Sequence, residues 1–355
     1  KKKNKKKVSL GEKKEIVKSF IAKGLHRDKA LCIAEMTKHQ LYYQPKKKRT
    51  AHRSTFTLKV DLGGVEAVSN EEIQGLIKHL QTLPEFDYGY DKFCTHLNIE
   101  GYIINHKKVY RLMKEKVLLK EKPVKQEKTY VKFRKVLPTR PLEILEMDIK
   151  FVWVEEHRRH VYILTVIDTF NRFCLNRKEG YQIKNEDVKQ MWEEIIEQYL
   201  QPYDCLNQPI RIELRNDNDR RFSAKKLQHF FALNRIGQVF IHPYTPQENG
   251  HIESFHSILS RHLDRYVFWS LDELKTNLDL FYEYYNERRL HSSIANLSPS
   301  IFWSCWNNGW VERTVNLKKM RNKFKLLIPY YEIKTRLLEQ EKLEKNENFL
   351  ECISN

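Results

Sequence analysis

Three carboxylates stand where chemistry is possible. Asp148 interrupts the stretch LEMDIKFVWV (145–154), an otherwise apolar strand pattern in which an unpaired carboxylate is costly to bury. Asp217 lies just past a second strand pattern, RIELR (211–215), in the turn RNDND. Glu253 falls in the first turn of a helical pattern, GHIESFHSILSRHLDRY, whose core stripe is Ile252, Phe255, Leu259 and Leu263. It sits beside that stripe, able to look back at the strand ends. Three carboxylates from two neighbouring strands and one helix suit hard cations, which take oxygen ligands. Two Mg²⁺ ions about 3.5–4 Å apart activate the attacking oxygen and stabilise the leaving oxygen of a phosphodiester. Mn²⁺ can take the place of Mg²⁺ in such a site. Asp148, on the first strand, is the residue expected to bridge the two ions.

The elements around these residues must hold them in place. After LEMDIKFVWV come HVYILTVIDTF (160–170) and RFCLNR (172–177), rich in β-branched and aromatic residues, which read as three consecutive strands. A helix over 184–200 buries Val188, Met191, Trp192, Ile195 and Ile196. RIELR is a strand, AKKLQHFFALN (224–234) a helix and QVFIH (238–242) a strand; the helix at about 250–266 follows the loop PYTPQEN. The order βββαβαβ followed by α is that of a ribonuclease-H-like core, an α/β fold with a mixed five-stranded sheet and helices. Two further helices follow, at about 271–288 and 298–307.

Upstream the texture is helical and basic. A helix is expected at 12–24, then two short helices in 26–43 with Thr37 capping the second. Three more are expected at 70–82, 88–98 and 105–116. In the last of these Val109, Leu112 and Met113 form an apolar stripe, Asn105 is the N-cap, and Lys107, Lys108, Arg111 and Lys114 stand off the stripe, as in a helix that enters a major groove. These give all-α helix-turn-helix modules ahead of the core. The expected domains are 1–57 (basic helix-turn-helix and linker), 58–120 (second helix-turn-helix), 121–140 (basic linker), 141–310 (catalytic core) and 311–355 (a charged helical extension).

Of the net charge of +18, residues 1–140 carry +19, with 34 Lys and Arg against 15 Asp and Glu; residues 141–355 carry −1. Cations release the counterions of phosphate, so the N-terminal part is the expected grip on nucleic acid. No run of about 18 apolar residues argues for a membrane span, and no signal-peptide pattern follows Lys1. Six cysteines without a CxxC pair argue against a zinc module or disulfide framework and fit a reducing cytosol.

The words around the carboxylates resemble those of the D,D(35)E integrases and transposases. Between Asp217 and Glu253 lie 35 residues. EMDIKFV resembles the family's first-Asp strand, RNDNDRRF its R-S-D-N-G-x-x-F, and HPYTPQENGHIESFH its P-x-x-P-x-x-N-G-x-x-E-S-F. YYNERRLHSSIANLSPSIF (284–302) resembles its Y-N-x-x-R-P-H trailer. DYGYDKFCTHLNIEGYIINHKKVYRLMKEKVLL (87–119) resembles the helix-turn-helix of insertion-sequence family three, the OrfB type. The likeness covers about residues 25–308. It implies a DDE transposase that binds terminal inverted repeats, exposes 3′-OH ends and joins them by strand transfer, with Asp148, Asp217 and Glu253 as metal ligands. It also implies a dimer or larger assembly on double-stranded DNA, in the bacterial cytoplasm at the nucleoid. Tyr244, Asn249, His251, His256 and Arg261 are the further expected DNA contacts, Asn249 also being the candidate N-cap of the catalytic helix.

Three positions depart from the family pattern. Asn216 and Asp219 replace its Ser and Gly, and Ser260 replaces a basic residue, with Arg261 beside it. Plainer readings stand beside the sharp ones: Asp168 as a structural carboxylate, Glu248 as a competing ligand, and Trp303, Trp306 and Trp310 as core. Two rival functions also stay open, a regulator with an inactive core and a ribonuclease-H-like nuclease. The two basic helical regions favour duplex DNA over a hybrid.

Overall fold

The computed structural model describes residues 9–43, 54–61, 64–120, 136–207, 212–242, 246–318, 320–340 and 342. The chain divides into Lys1–Ser54 and Thr55–Asn355. In the first unit, α1 (Leu10–Ala22) opens with a capping box: Ser9 Oγ accepts from the Glu12 amide and the Glu12 carboxylate from the Ser9 amide. α2 (Arg27–Ile33) and α3 (Lys38–Tyr42) follow, and Thr37 caps α3 in the same way with Gln40. Val17, Ala30, Leu31, Met36 and Leu41 form the small core.

The second unit begins with a hairpin the sequence did not announce. β1 (Phe56–Asp61) and β2 (Gly64–Ser69) pair antiparallel, ahead of α4 (Asn70–Thr82) and α5 (Tyr90–Ile99). β3 (Tyr102–Ile103) then adds to β1 before α6 (His106–Glu115), giving the order β2-β1-β3. This module is therefore not all-α, and the strand residues Phe56 and Thr57 lie where a linker was expected. Gly101 makes the three-stranded join possible. Its φ is +90°, its carbonyl accepts from the Val60 amide at 2.9 Å, and a Cβ there would stand 2.2 Å from the Val60 oxygen.

The central sheet has the expected connectivity. β4 (Ile144–Val154) pairs antiparallel with β5 (Arg159–Asp168), which pairs antiparallel with β6 (Cys174–Gly180). α7 (Asn185–Ile195), extended by a π turn over 196–200, crosses over to β7 (Ile212–Asn216), parallel to β4. α8 (Lys225–Leu233) crosses to β8 (Ile236–Phe240), parallel to β7. The sheet order is β6-β5-β4-β7-β8. Met147 and Ile149 of β4 meet Val188, Trp192 and Phe231 from α7 and α8 on one face. On the other, Val154, Val161 and Ile163 meet α9 (Gly250–Leu263) and α10 (Leu271–Glu287) through Phe255, Leu259 and Phe281. The alternation of a strand thus sends successive residues to two helical layers.

The remainder departs from expectation. After α11 (Pro299–Asn307) the chain forms an antiparallel hairpin, β9 (Val311–Asn316) with β10 (Arg321–Leu326), in place of a charged helix. Helix returns only at 333–340. The hairpin was hidden because few of its residues are buried. Val311 and Phe324 are the buried pair, and Phe324 packs edge-on against Phe170 and Phe302. The same apolar cluster holds Ile73, Phe93 and Leu112 of α4, α5 and α6 together with Phe170, Leu290 and Phe302 of the core, so the expected boundary at 120–141 is not a packing boundary. Residues 121–135 of the expected basic linker lie outside the described residues. Among those described, no helix is long and apolar enough to cross a membrane.

Replacing Gly101 by Ala should cost about 1–3 kcal/mol from the left-handed backbone alone, with the Val60 clash added. Thermal melting of the variant should show a clear loss, and unchanged melting would refute the role given to this residue.

Candidate active site

The parallel register sets the first two carboxylates. Ile144 lies opposite Glu213, Leu145 opposite Leu214 and Glu146 opposite Arg215. Carried two residues on, the same register brings Asp148 beside Asp217, on chain paths about 4.8 Å apart. Asp217 is the first residue past β7, where the Asn216 side chain is held by Gln238 and its carbonyl by the Ile241 amide.

The third carboxylate is set by a residue that sequence reasoning missed. Glu146 is fully buried, two residues before Asp148 on the same face of β4. One of its oxygens accepts from the amides of His251 and Ile252 at 2.9 and 2.8 Å, and the other lies 2.8 Å from His251 Nδ1. These amides belong to the first turn of α9, where helical N–H groups lack partners and a negative charge is favoured. Glu253 is the next residue on. Glu146 is the second carboxylate in LEMDIKFV, so that stretch is not otherwise apolar, and its i, i+2 relation to Asp148 was the available signal. It also takes the capping role expected of Asn249. Asn249 is 3% exposed, makes no side-chain cap, and leaves its Oδ1 buried without a partner.

The carboxylates sense one another. Partial burial and then the negative charges of Asp148 and Glu146 push Glu253 up to about 7. Asp217 is raised by burial first, then by Asp148 and Asp219, against a hydrogen bond from the Asp219 amide at 3.2 Å. Asp148 therefore acts on both of the others. Its Oδ2 lies 3.3 Å from His256 Nδ1, and its Oδ1 accepts from the Ile149 amide. Among the described residues, no group of three or more His, Cys, Asp or Glu is gathered so as to hold a metal ion in this structure. Raised and mutually repelling carboxylates are a donor set that a divalent cation would relieve.

Other acidic residues have partners that keep them apart. Asp219 is held by the amide and guanidinium of Arg221 and lies below the usual carboxylate range, that hydrogen bond being the largest cause. Glu248 is buried and accepts from the His242 amide and ring. Asp168 is buried at the end of β5, accepts from the Leu142 and Phe170 amides, and is pushed up to about 7 by burial.

The expected DNA contacts are scattered. His251 and His256 face carboxylates rather than open solvent, and His256 Nε2 is buried without a partner. Tyr244 lies outside the described residues. On α6, Asn105 accepts from the Lys108 amide, and Val109, Leu112 and Met113 are buried. Lys107 and Lys114 are exposed, while Lys108 Nζ donates to the Phe56 carbonyl and Arg111 leans on Glu115 at 3.9 Å. Arg261 is exposed at the far end of α9, and Ser260 Oγ donates to the His256 carbonyl. Trp303 is in the core, stacked on Tyr203, and Trp306 packs on Phe170.

Two models described as integrase core domain match residues 138–246 and 234–299, which together run from the first carboxylate strand through α9 and α10. An HTH-like domain model matches residues 70–125, ahead of the integrase core. Across 217 residues the chain is 27% identical to the IS476 insertion-element 39.2 kDa protein of Xanthomonas euvesicatoria, covering 61% of this chain and 60% of that protein's length. It is 27% identical over 226 residues to the Escherichia coli K12 protein named transposase InsK for insertion sequence element IS150, covering 60% and 76%. Among solved structures, a chain of the simian T-cell lymphotropic virus intasome aligns at 15% identity and TM-score 0.38, over 64% of this chain and 72% of that one. The catalytic core of BIV integrase aligns at 17% and 0.35, over 47% and 97%.

The raised Glu253 gives a signed expectation for stability. Its folded value near 7 lies above the ordinary 4.5, so the folded protein binds the extra proton between those values. Without metal, stability is then favoured on the acid side and declines as pH rises from about 4.5 to about 7. Glu253→Gln should remove that part of the decline, read as melting temperature against pH; parallel curves for the two proteins would contradict the assignment.

Proposed function

We propose that this chain is the transposase of an insertion element, cutting strands at the element's ends to expose 3′-OH groups and joining those ends to other DNA. The observation that carries the proposal is geometric: Asp148 lies on β4, Asp217 just past the parallel strand β7, and Glu253 in the first turn of α9, which Glu146 of β4 docks, all in a stretch that integrase core models match. Asp148, Asp217 and Glu253 are the residues that would hold Mg²⁺, or Mn²⁺ in its place, Asp148 being the one whose charge bears on both of the others. Bound there, a pair of divalent ions supplies activation of the attacking oxygen and stabilisation of the leaving oxygen in in-line displacement.

The chain's own residues do the rest. Glu146 keeps the first turn of α9 against β4, so Glu253 cannot drift from Asp148. His256, three residues beyond Glu253 on the same face of α9, lies 3.3 Å from the Asp148 carboxylate. Asp219, committed to Arg221, stays out of the ligand set. The exposed Lys107 and Lys114 of α6 suit a helix laid in a major groove at the terminal repeats. Two ends must be brought together for joining, so the working form is a dimer or larger assembly on double-stranded DNA. The first helical unit, with its lysines, adds non-specific affinity for phosphate.

The test is strand cleavage and joining on labelled DNA carrying the element's own ends, in Mg²⁺ and in Mn²⁺. Asp148→Asn, Asp217→Asn and Glu253→Gln should each lose about a thousandfold or more, since ligand loss removes several kcal/mol of transition-state stabilisation. Asp219→Asn should stay within about tenfold of wild type, and chelation by EDTA should abolish both steps. Tight binding of the ends with no cutting in either metal would instead make the protein a DNA-binding regulator.

A further inference from the structure

A second cluster of charge lies at the seam between the HTH-like module and the integrase core, away from the carboxylates. A small cleft of about 60 Å³ is lined by Pro84, Asp87, Arg261, Arg265, Tyr284 and Arg289, among others. Three elements meet there. Residues 84–87 follow α4, Arg261 and Arg265 lie at the end of α9, and Arg289 follows α10. The seam is fixed by hydrogen bonds: Tyr284 Oη donates to the Glu85 carbonyl at 2.6 Å, and the Leu290 amide donates to Tyr88 Oη at 3.2 Å.

The cations at this seam outnumber the anions. Lys120 Nζ pairs with the Asp87 carboxylate, and Arg261 Nη1 lies 3.8 Å from its other oxygen. Lys92 lies over the Tyr88 ring, and its ammonium is pushed down to about 8 by burial, then by Arg289, with Arg261 and Lys120 adding to the effect. Arg289 sits beside the Tyr284 hydroxyl, but its Nε is buried with no hydrogen-bond partner. Lys120, Arg261, Arg289 and Lys92 thus share the carboxylate of Asp87, with Arg265 also lining the cleft, and at least one buried donor is left without an acceptor. Such an arrangement is expensive for a protein to keep unless an anion joins it.

We propose that this cleft is a seat for a backbone phosphate of duplex DNA, held by Arg261, Arg265 and Arg289 with Lys92 and Lys120, and that the Asp87 carboxylate occupies the seat when DNA is absent. A carboxylate that bridges Lys120 and Arg261 marks where an anionic oxygen is stable. Guanidinium groups match phosphate geometry with paired donors. The position suits the task. Arg261 is eight residues beyond Glu253 on α9, or about 12 Å along the helix, which corresponds to roughly four base pairs of duplex. DNA whose end reaches Glu253 would pass the seat within that distance, while the seam ties it to the module that reads sequence. Asp87 makes the grip competitive, so weak or misplaced DNA must displace an internal anion before it is held. This inference rests on the DNA-acting reading above, for which the phosphate source is duplex DNA.

The test is binding of the full chain to labelled duplex over a series of salt concentrations. Arg261→Gln with Arg265→Gln should lower the slope of log affinity against log salt by about one to two, roughly one for each phosphate no longer neutralised. Asp87→Asn should bind more tightly, by about fivefold for a unit charge removed at about 4 Å from the ligand in a water-like medium. A misfolded variant cannot bind more tightly, so the second arm guards the first. An unchanged slope in the double variant, or no gain in Asp87→Asn, overturns the seat. Cleavage by wild type is scored separately. If wild type cuts but the charge variants bind as it does, the seat falls and the transposase reading stands. If the variants shift binding as stated and wild type never cuts, the seat stands and the transposase reading falls.

Discussion

The carboxylate of Glu146 against the first turn of α9 is the interaction on which the site depends. A buried carboxylate without partners would be unstable by several kcal/mol, and the first amides of a helix need acceptors. Each requirement satisfies the other, because Glu146 takes the His251 and Ile252 amides and touches the His251 ring. The consequence is geometric. Docking the N-terminus of α9 on β4 brings Glu253 within reach of the charges of Asp148 and Glu146. Parallel pairing of β4 with β7 brings Asp217 from the other side. Three side chains distant in sequence are therefore fixed by one buried hydrogen-bond set and one strand register.

That fixation has an electrostatic effect. Burial first, and then the charge of Asp148, raises both Glu253 and Asp217, so these two carboxylates are unfavourable as bare anions. Asp168 is raised by burial as well, with backbone amides as its partners, and it ends β5 opposite Leu145. The difference lies in the neighbours: Asp168 accepts from two backbone amides, whereas the charge of Asp148 bears on both Asp217 and Glu253. Asp219 shows a third condition, lowered because Arg221 satisfies it. One short turn, 216–221, thus contains both a candidate ligand and a self-paired acid.

Much of this was legible in the sequence, for identifiable reasons. Strands buried on both faces read as dense β-branched and aromatic runs, and the stripes of α6, α7 and α9 follow the helical period, so the core elements and the Val109–Leu112–Met113 face were recoverable. Asp217 and Glu253 drew attention because each stood at an element end, and Asp148 because it interrupts a strand pattern. The hairpins at 56–69 and 311–326 were not legible. Their strands are short and largely exposed, those of the second rich in Lys, Arg and Glu, and both hairpins lean on distant partners such as Gly101 and Phe170. Glu146 was overlooked because its partners are backbone amides more than a hundred residues away, which no local pattern records. The basic seam at Asp87 escaped for the same reason, since its cations come from four separate stretches of chain.

Diffraction from crystals soaked in Mn²⁺, with data collected at the manganese absorption edge, would test the central claim most directly. Anomalous peaks should appear among Asp148, Asp217 and Glu253, with Asp148 nearest to both ions and Glu146 still on the amides of α9. Ions bound instead at Asp219 or Glu248, or a Glu146 that has left the helix to become a ligand, would contradict the account.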